Sequence, residues 1–216
     1  MKKFLNIAAL MCCALLFFCG CGKQTDYTEY ISEKRTDIYL YSDDGIEIRI
    51  HVSEKETPYC ADGIKGEMGN LTEIYVTLPE NRDEVNVKAG NIEGEMNFRA
   101  VENCYYLSAA NGGVTGESAD VTITFGEESK TYSAMNVKYD GVISCEDALK
   151  CVTERDLNLF EGLTESGVFC GEIYVRLIYD DGCYYYVGVC DRDKKITAYL
   201  VDGVKGKIIA TKEMNG

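Results

Sequence analysis

The chain has 216 residues, with 36 acidic side chains against 22 basic ones and a formal net charge of −14. That surplus excludes a surface built for nucleic-acid phosphates, which needs clustered lysine and arginine, and an anionic bilayer would repel the body too. Apolar residues make up 46%, the content of a folded protein, and the length admits one or two domains.

Lys2 and Lys3 open the chain, an apolar run broken by Asn6 extends from Phe4 to Cys19, and Phe18-Cys19-Gly20-Cys21 closes it. A positive start, a short apolar middle and small closing residues are the order of a secretory signal. The run is shorter than the roughly 20 apolar residues of a membrane span. Its end resembles the lipobox of bacterial lipoproteins, with Phe18 where that family has leucine and Cys19 where it has a smaller residue. The resemblance implies that residues 1–20 are removed, that Cys21 carries a diacylglyceryl thioether, and that the chain is anchored on the outer face of the cell membrane. Two acyl chains anchor stably where one does not. Loss of Lys2 and Lys3 takes the net charge from −14 to −16, because residues 1–20 contain no acid.

Residues 22–36 are polar and lack a strong period, so residues 21–36 are expected to form a lipidated tether. Of the 11 cysteines, seven lie beyond Cys21: Cys60, Cys104, Cys145, Cys151, Cys170, Cys183 and Cys190. Export favours disulfides, yet the number is odd, and buried free thiols are an equal expectation. No C-x-x-C spacing occurs, which argues against a zinc knuckle and a thioredoxin-like motif.

Residues 37–140 read as strand after strand. Ile38 to Tyr41 runs into the turn Asp43-Asp44-Gly45, after which Ile46, Ile48, Ile50 and Val52 alternate with Glu47, Arg49 and His51. Further strands are expected at Ile74–Leu78, Val85–Val87, Met96–Phe98, Cys104–Leu107, Val121–Phe125 and Thr131–Ala134. That count predicts a β-sandwich of immunoglobulin-like type.

The period changes at Ser144. Ser144 and Asp147 have the spacing of a capping box, and Ala148, Leu149 and Val152 share one helix face. The helix is expected to fade by about Asn158. Strands follow at Glu172–Tyr179, Cys183–Cys190, Ile196–Val201 and Lys207–Thr211. A three-residue loop at Asp180-Asp181-Gly182 pairs Ile173 with Val189, Val175 with Val187 and Leu177 with Tyr185, which gathers the apolar residues on one face and assigns the positive φ to Gly182. The fold class expected overall is mainly β: a sandwich followed by a small α+β domain over residues 142–213.

That second domain resembles the PepSY domain. The matching residues are Ile143 to Leu149, the strand pair around Asp181-Gly182, and Tyr199 to Ile209 with its Asp202-Gly203-Val204-Lys205-Gly206 turn. The resemblance implies a helix on a β-meander and a non-catalytic module that engages an extracytoplasmic peptidase or another envelope protein. One helix covers one face of a small sheet. The other face is expected to carry Tyr174, Arg176, Ile178, Tyr184 and Tyr186, with Tyr199 joining if Ile196 and Leu200 point inward. Tyrosine beside arginine is the composition of an interface centre, whereas packing against the β-rich half would close the same face.

Catalysis has little support in the residues. His51, the sole histidine, is expected on a solvated strand face, and no H-E-x-x-H, P-loop or G-x-S-x-G motif occurs. No cofactor or metal is expected: the acidic turns lack EF-hand spacing and match turn chemistry. The alternative to a binding module is a carbohydrate-binding or carboxylate-dependent hydrolytic surface protein, recognisable by converging carboxylates in the β-rich half.

Overall fold

The computed structural model describes residues 25–57 and 64–215. The expected signal segment, Cys21 and Cys60 lie outside the described residues. Among the described residues no helix is long and apolar enough to cross a membrane.

The fold is mainly β. Strands β1 (Ile31–Asp43), β2 (Ile46–Thr57), β3 (Glu67–Thr77), β4 (Asn86–Ala89), β5 (Ile92–Glu95), β6 (Asn97–Arg99), β7 (Cys104–Ala110), β8 (Ser118–Phe125) and β9 (Glu128–Asn136) come first. Helices α1 (Cys145–Arg155) and α2 (Leu157–Gly162) follow, then a short pair β10 (Thr164–Glu165) and β11 (Val168–Phe169). Strands β12 (Glu172–Tyr179), β13 (Cys183–Cys190), β14 (Lys195–Asp202) and β15 (Ile208–Asn215) close the chain.

A single sheet runs through both halves in the order β15-β14-β13-β12-β1-β2-β3-β7-β6. Its pairs are antiparallel except β1 with β12. β1 is shared. Ile31 to Arg35 pair with β12, then Tyr39 and Leu40 pair with β9, which leads to β8, β4 and β5. The register of β1 slips between Arg35 and Asp37 against β2, the mark of a bulge where the strand changes neighbours.

Two cores lie on this sheet. One joins α1, α2 and the inner faces of β12, β13 and β14, with Leu149, Val152, Phe160, Val175, Leu177, Tyr185 and Val187 buried. The other is enclosed by the β-rich half, where Ile48, Ile50, Ile74 and Val76 meet Val87, Val121 and Ile123. Their alternation with polar neighbours is the period-two pattern visible in the sequence.

The expected tether is folded from its middle onward. Asp26 caps a 3-10 turn at Tyr27–Tyr30, Tyr27 and Ile31 are buried in the first core, and residue 36 falls inside β1. The segment reads as polar because Glu33, Lys34 and Arg35 find partners more than a hundred residues away or across a strand pair, which local patterning does not reveal.

α1 begins as its sequence implies. The Ser144 hydroxyl accepts from the Asp147 amide at 3.0 Å and donates to the Asp147 carboxylate at 2.8 Å. The helical path continues past Asn158, because Asp156 breaks α1 and Phe160 is then buried by α2. The β12–β13 register has the predicted pairs. Within its loop, however, Asp181 takes the positive φ of 51°, not Gly182, a conformation short polar side chains tolerate. The Asp202 carboxylate accepts from the amides of Val204 and Lys205, and the Gly203 carbonyl accepts from Ile143, tying the last turn to the start of α1. A Cβ on Gly203 would lie 2.5 Å from the Cys183 carbonyl oxygen, so only glycine fits there.

Candidate functional site

Strand alternation gives β12, β13 and β14 an inner face on the helices and an outward face. The outward face carries Tyr174, Arg176, Ile178, Tyr184, Tyr186 and Leu200, each half-buried by its neighbours. Through β1 the strands of the β-rich half are hydrogen-bonded edge-on to this sheet.

Tyr199 does not belong to it. It pairs with Val187, lies buried in the helix-side core, and donates its hydroxyl to Asp156 at 2.6 Å. Leu200, not Tyr199, pairs with Tyr186. The inner face offers Tyr199 both an apolar bed and a carboxylate at its polar tip, which decides the register of β14.

The pairing carries the outward face across the molecule. Glu33 and Arg35 of β1 stand beside Tyr174 and Arg176 of β12. Lys55, Ser53, His51 and Arg49 continue it on β2, Leu71, Glu73 and Tyr75 on β3, and Tyr106 on β7. Along this band guanidinium groups lie over tyrosine rings. Arg176 sits 5.3 Å from the Tyr174 ring and 5.7 Å from that of Tyr186. Arg49 is 4.9 Å from the Tyr75 ring, and Arg99 is 3.3 Å from that of Tyr106. Such contacts fix both partners and leave ring edges available.

The acids of the band are committed. Glu33, almost fully buried, receives Nε and Nη2 of Arg176 at 2.8 and 2.7 Å, and Lys55 Nζ lies 3.7 Å away. Glu73 accepts from the hydroxyls of Tyr106 and Tyr75 at 2.9 and 3.3 Å. Burial and the Glu73 carboxylate push the Tyr75 hydroxyl up to about 12, so it stays a donor. Tyr174 donates to Glu172, and burial with that carboxylate raises its pKa as well.

His51 is not a solvated strand residue. It is half-buried against Tyr75, with ring centroids 5.3 Å apart. Burial, Arg35 and Arg49 hold its pKa down at about 3, so the imidazole is neutral at physiological pH. The polar face of β2 reads as wet because its residues are polar, yet large neighbours on β1 and β3 cover it.

Sequence reasoning found Tyr174, Arg176, Tyr184 and Tyr186 but missed Arg35, Arg49, Arg99, Tyr75 and Tyr106. The available signal was the alternation of Tyr75 with buried Ile74 and Val76, and of Tyr106 with buried Tyr105. Their meeting depends on which strands pair.

Elsewhere the turn carboxylates serve their own backbone: Asp191 accepts from the amides of Asp193 and Lys195 as Asp202 does in its turn. Among the described residues Cys104, Cys145, Cys151, Cys170, Cys183 and Cys190 are free thiols. Comparison with protein-family models, with curated proteins and with solved structures finds no match to this chain.

Proposed function

We propose that this chain is a lipid-anchored extracytoplasmic binding module, held to the membrane through Cys21, that engages a peptidase or another envelope protein with the outward face of its sheet. The observation that carries this reading is the half-exposed group Tyr174, Arg176, Tyr184 and Tyr186 on the outward face of β12 and β13, with Arg176 anchored at its edge to Glu33 of β1. Aromatic rings and arginine in a contiguous patch supply large contact area at low entropic cost.

The helix-on-meander arrangement of α1 with β12–β15 supports the PepSY-like reading of residues 142–213, and the separate core of the β-rich half supports a sandwich-type body for residues 37–140. The role assigned to residues 1–21 rests on their sequence. The net charge of −16 leaves attachment to the lipid.

Two variants test the two parts. Cys21→Ala is expected to lose lipid labelling and membrane retention; continued labelling would refute the anchor. Binding to a panel of purified extracytoplasmic peptidases is expected to weaken at least tenfold when Tyr184 and Tyr186 are both changed to alanine, and undiminished binding would refute the surface.

A further inference from the structure

Among the described residues three buried side-chain atoms have no hydrogen-bond partner: Arg35 Nε, His51 Nδ1 and Ser53 Oγ. All three belong to one spot. Arg35 pairs with Ser53 across β1 and β2, and His51 follows Ser53 on the same face of β2. Ser53 is 1% exposed. A buried polar atom without a partner costs stability, and three in adjacent register positions are not explained by the fold's own bonding.

Each of these groups can donate a hydrogen bond: Arg35 Nε–H always, the Ser53 hydroxyl by rotation, and neutral His51 in its Nδ1–H tautomer. The surrounding charge points the same way. Arg35 donates its Nη1 to the Leu177 carbonyl at 3.4 Å, and Arg49 lies on the Tyr75 ring. Neither makes an ion pair among the described residues, although the chain has 36 acids. The nearby carboxylates are held elsewhere, Glu33 by Arg176 and Lys55, and Glu73 by two tyrosine hydroxyls. Two cations without acids beside two committed acids match a singly charged acceptor better than a phosphate dianion, which Glu33 and Glu73 would repel.

We propose that Arg35, Ser53 and His51, with Arg49 at the rim, form a receptor for a carboxylate side chain of a bound polypeptide. The tyrosine and arginine band continues past the spot on both sides, toward Tyr186 and toward Tyr106, so a chain lying on it runs on and presents a side chain there, not its terminus. The inference rests on the binding-module reading and names what that surface recognises.

His51, as the sole histidine, is its own reporter. It is faced by Arg35 from β1, by Arg49 on β2, and by Glu73 and Tyr75 from β3. Burial is the larger cause that keeps the ring neutral, and an anion seated beside Arg35 offsets the repulsion from Arg35 and Arg49 that adds to it. The full chain, labelled with carbon-13 histidine, is titrated by NMR with three probes. They are an acetylated, amidated alanine tripeptide with central glutamate, the same peptide with glutamine, and the all-alanine peptide with a free carboxyl terminus.

The glutamate peptide is expected to shift the His51 ring signals saturably and raise proton affinity at least tenfold, with the glutamine peptide silent. Arg35→Lys should weaken that shift several-fold, and the wild-type comparison stands even if this variant folds poorly. Equal shifts from glutamate and glutamine peptides, a response to the free terminus alone, or no response would each overturn the proposal. Silence at His51 with peptidase binding still lost on changing Tyr184 and Tyr186 would remove the receptor and leave the binding surface standing.

Discussion

Arg176 and Glu33, 143 residues apart, make a two-pronged ion pair at 2.8 and 2.7 Å across the only parallel strand contact among the described residues. The pair joins the strand that opens the fold to the hairpin near its end. Guanidinium and carboxylate planes match in this geometry, and Glu33 is almost fully buried.

Removing one partner should therefore be costly. Arg176→Met takes the two-pronged partner from a buried carboxylate, and a loss of about 3 kcal/mol is expected, near the lower bound for breaking a buried pair. Urea unfolding with an unchanged m-value checks this. Replacing Glu33 by methionine as well should recover much of the loss, because the uncompensated charge is then gone. A cost below about 1 kcal/mol for the single change would mean that the pair behaves as an exposed one.

His51 makes stability depend on acidity. Its folded pKa of about 3 lies below the ordinary 6.5, so between those values the unfolded chain binds a proton that the folded chain does not. Its contribution is present above pH 6.5 and is lost as the pH falls toward 3, with a slope of at most about 1.4 kcal/mol per pH unit. His51→Gln should flatten the unfolding free energy over that window relative to the unmodified chain. Parallel curves for the two proteins between pH 6 and pH 4 would show that the ring titrates normally.

Tyr199 and Tyr184 separate the two faces of one sheet. Tyr199→Phe removes the bond to Asp156 and should cost about 1 kcal/mol, whereas Tyr199→Ala should cost about 3–5 kcal/mol as a core cavity opens. Tyr184→Ala, on the half-open face, should cost much less than the core change. Thermal unfolding of the three variants reads the order directly, and a larger loss for Tyr184→Ala would reverse the assignment of faces.

The thiols should react in an order set by burial. Cys151 is half-exposed, while burial and Glu146 push Cys145 up to about 12. The thiolate is the reactive form, so Cys145 is expected to alkylate on the order of a thousandfold more slowly than an ordinary exposed thiol. Peptide mapping after timed iodoacetamide treatment should find Cys151 labelled first among the six described cysteines and Cys145 labelled only as urea unfolds the chain. Early labelling of Cys145 would mean that the N-terminus of α1 opens in the native state.

The sequence by itself determined the local elements. Ile46, Ile48 and Ile50 specify an alternating strand, Ser144 and Asp147 specify the start of a helix, and the apolar residues of β12 and β13 specify their register, because each depends on neighbours within a few positions or on one short loop. Only the tertiary structure decided which polar side chains are buried and which faces are open. Alternation divides a strand into two faces without saying which one is wet, so His51 reads as exposed and Tyr199 reads as a surface residue. Glu33 and Arg35 read as tether for the same reason: a charged residue is buried only when a distant partner satisfies it, and β1 gains those partners through β2 and β12. That pairing also assembles the band from Tyr186 to Tyr106, since six strands drawn from both ends of the chain must lie side by side before their outward arginines and tyrosines form one surface.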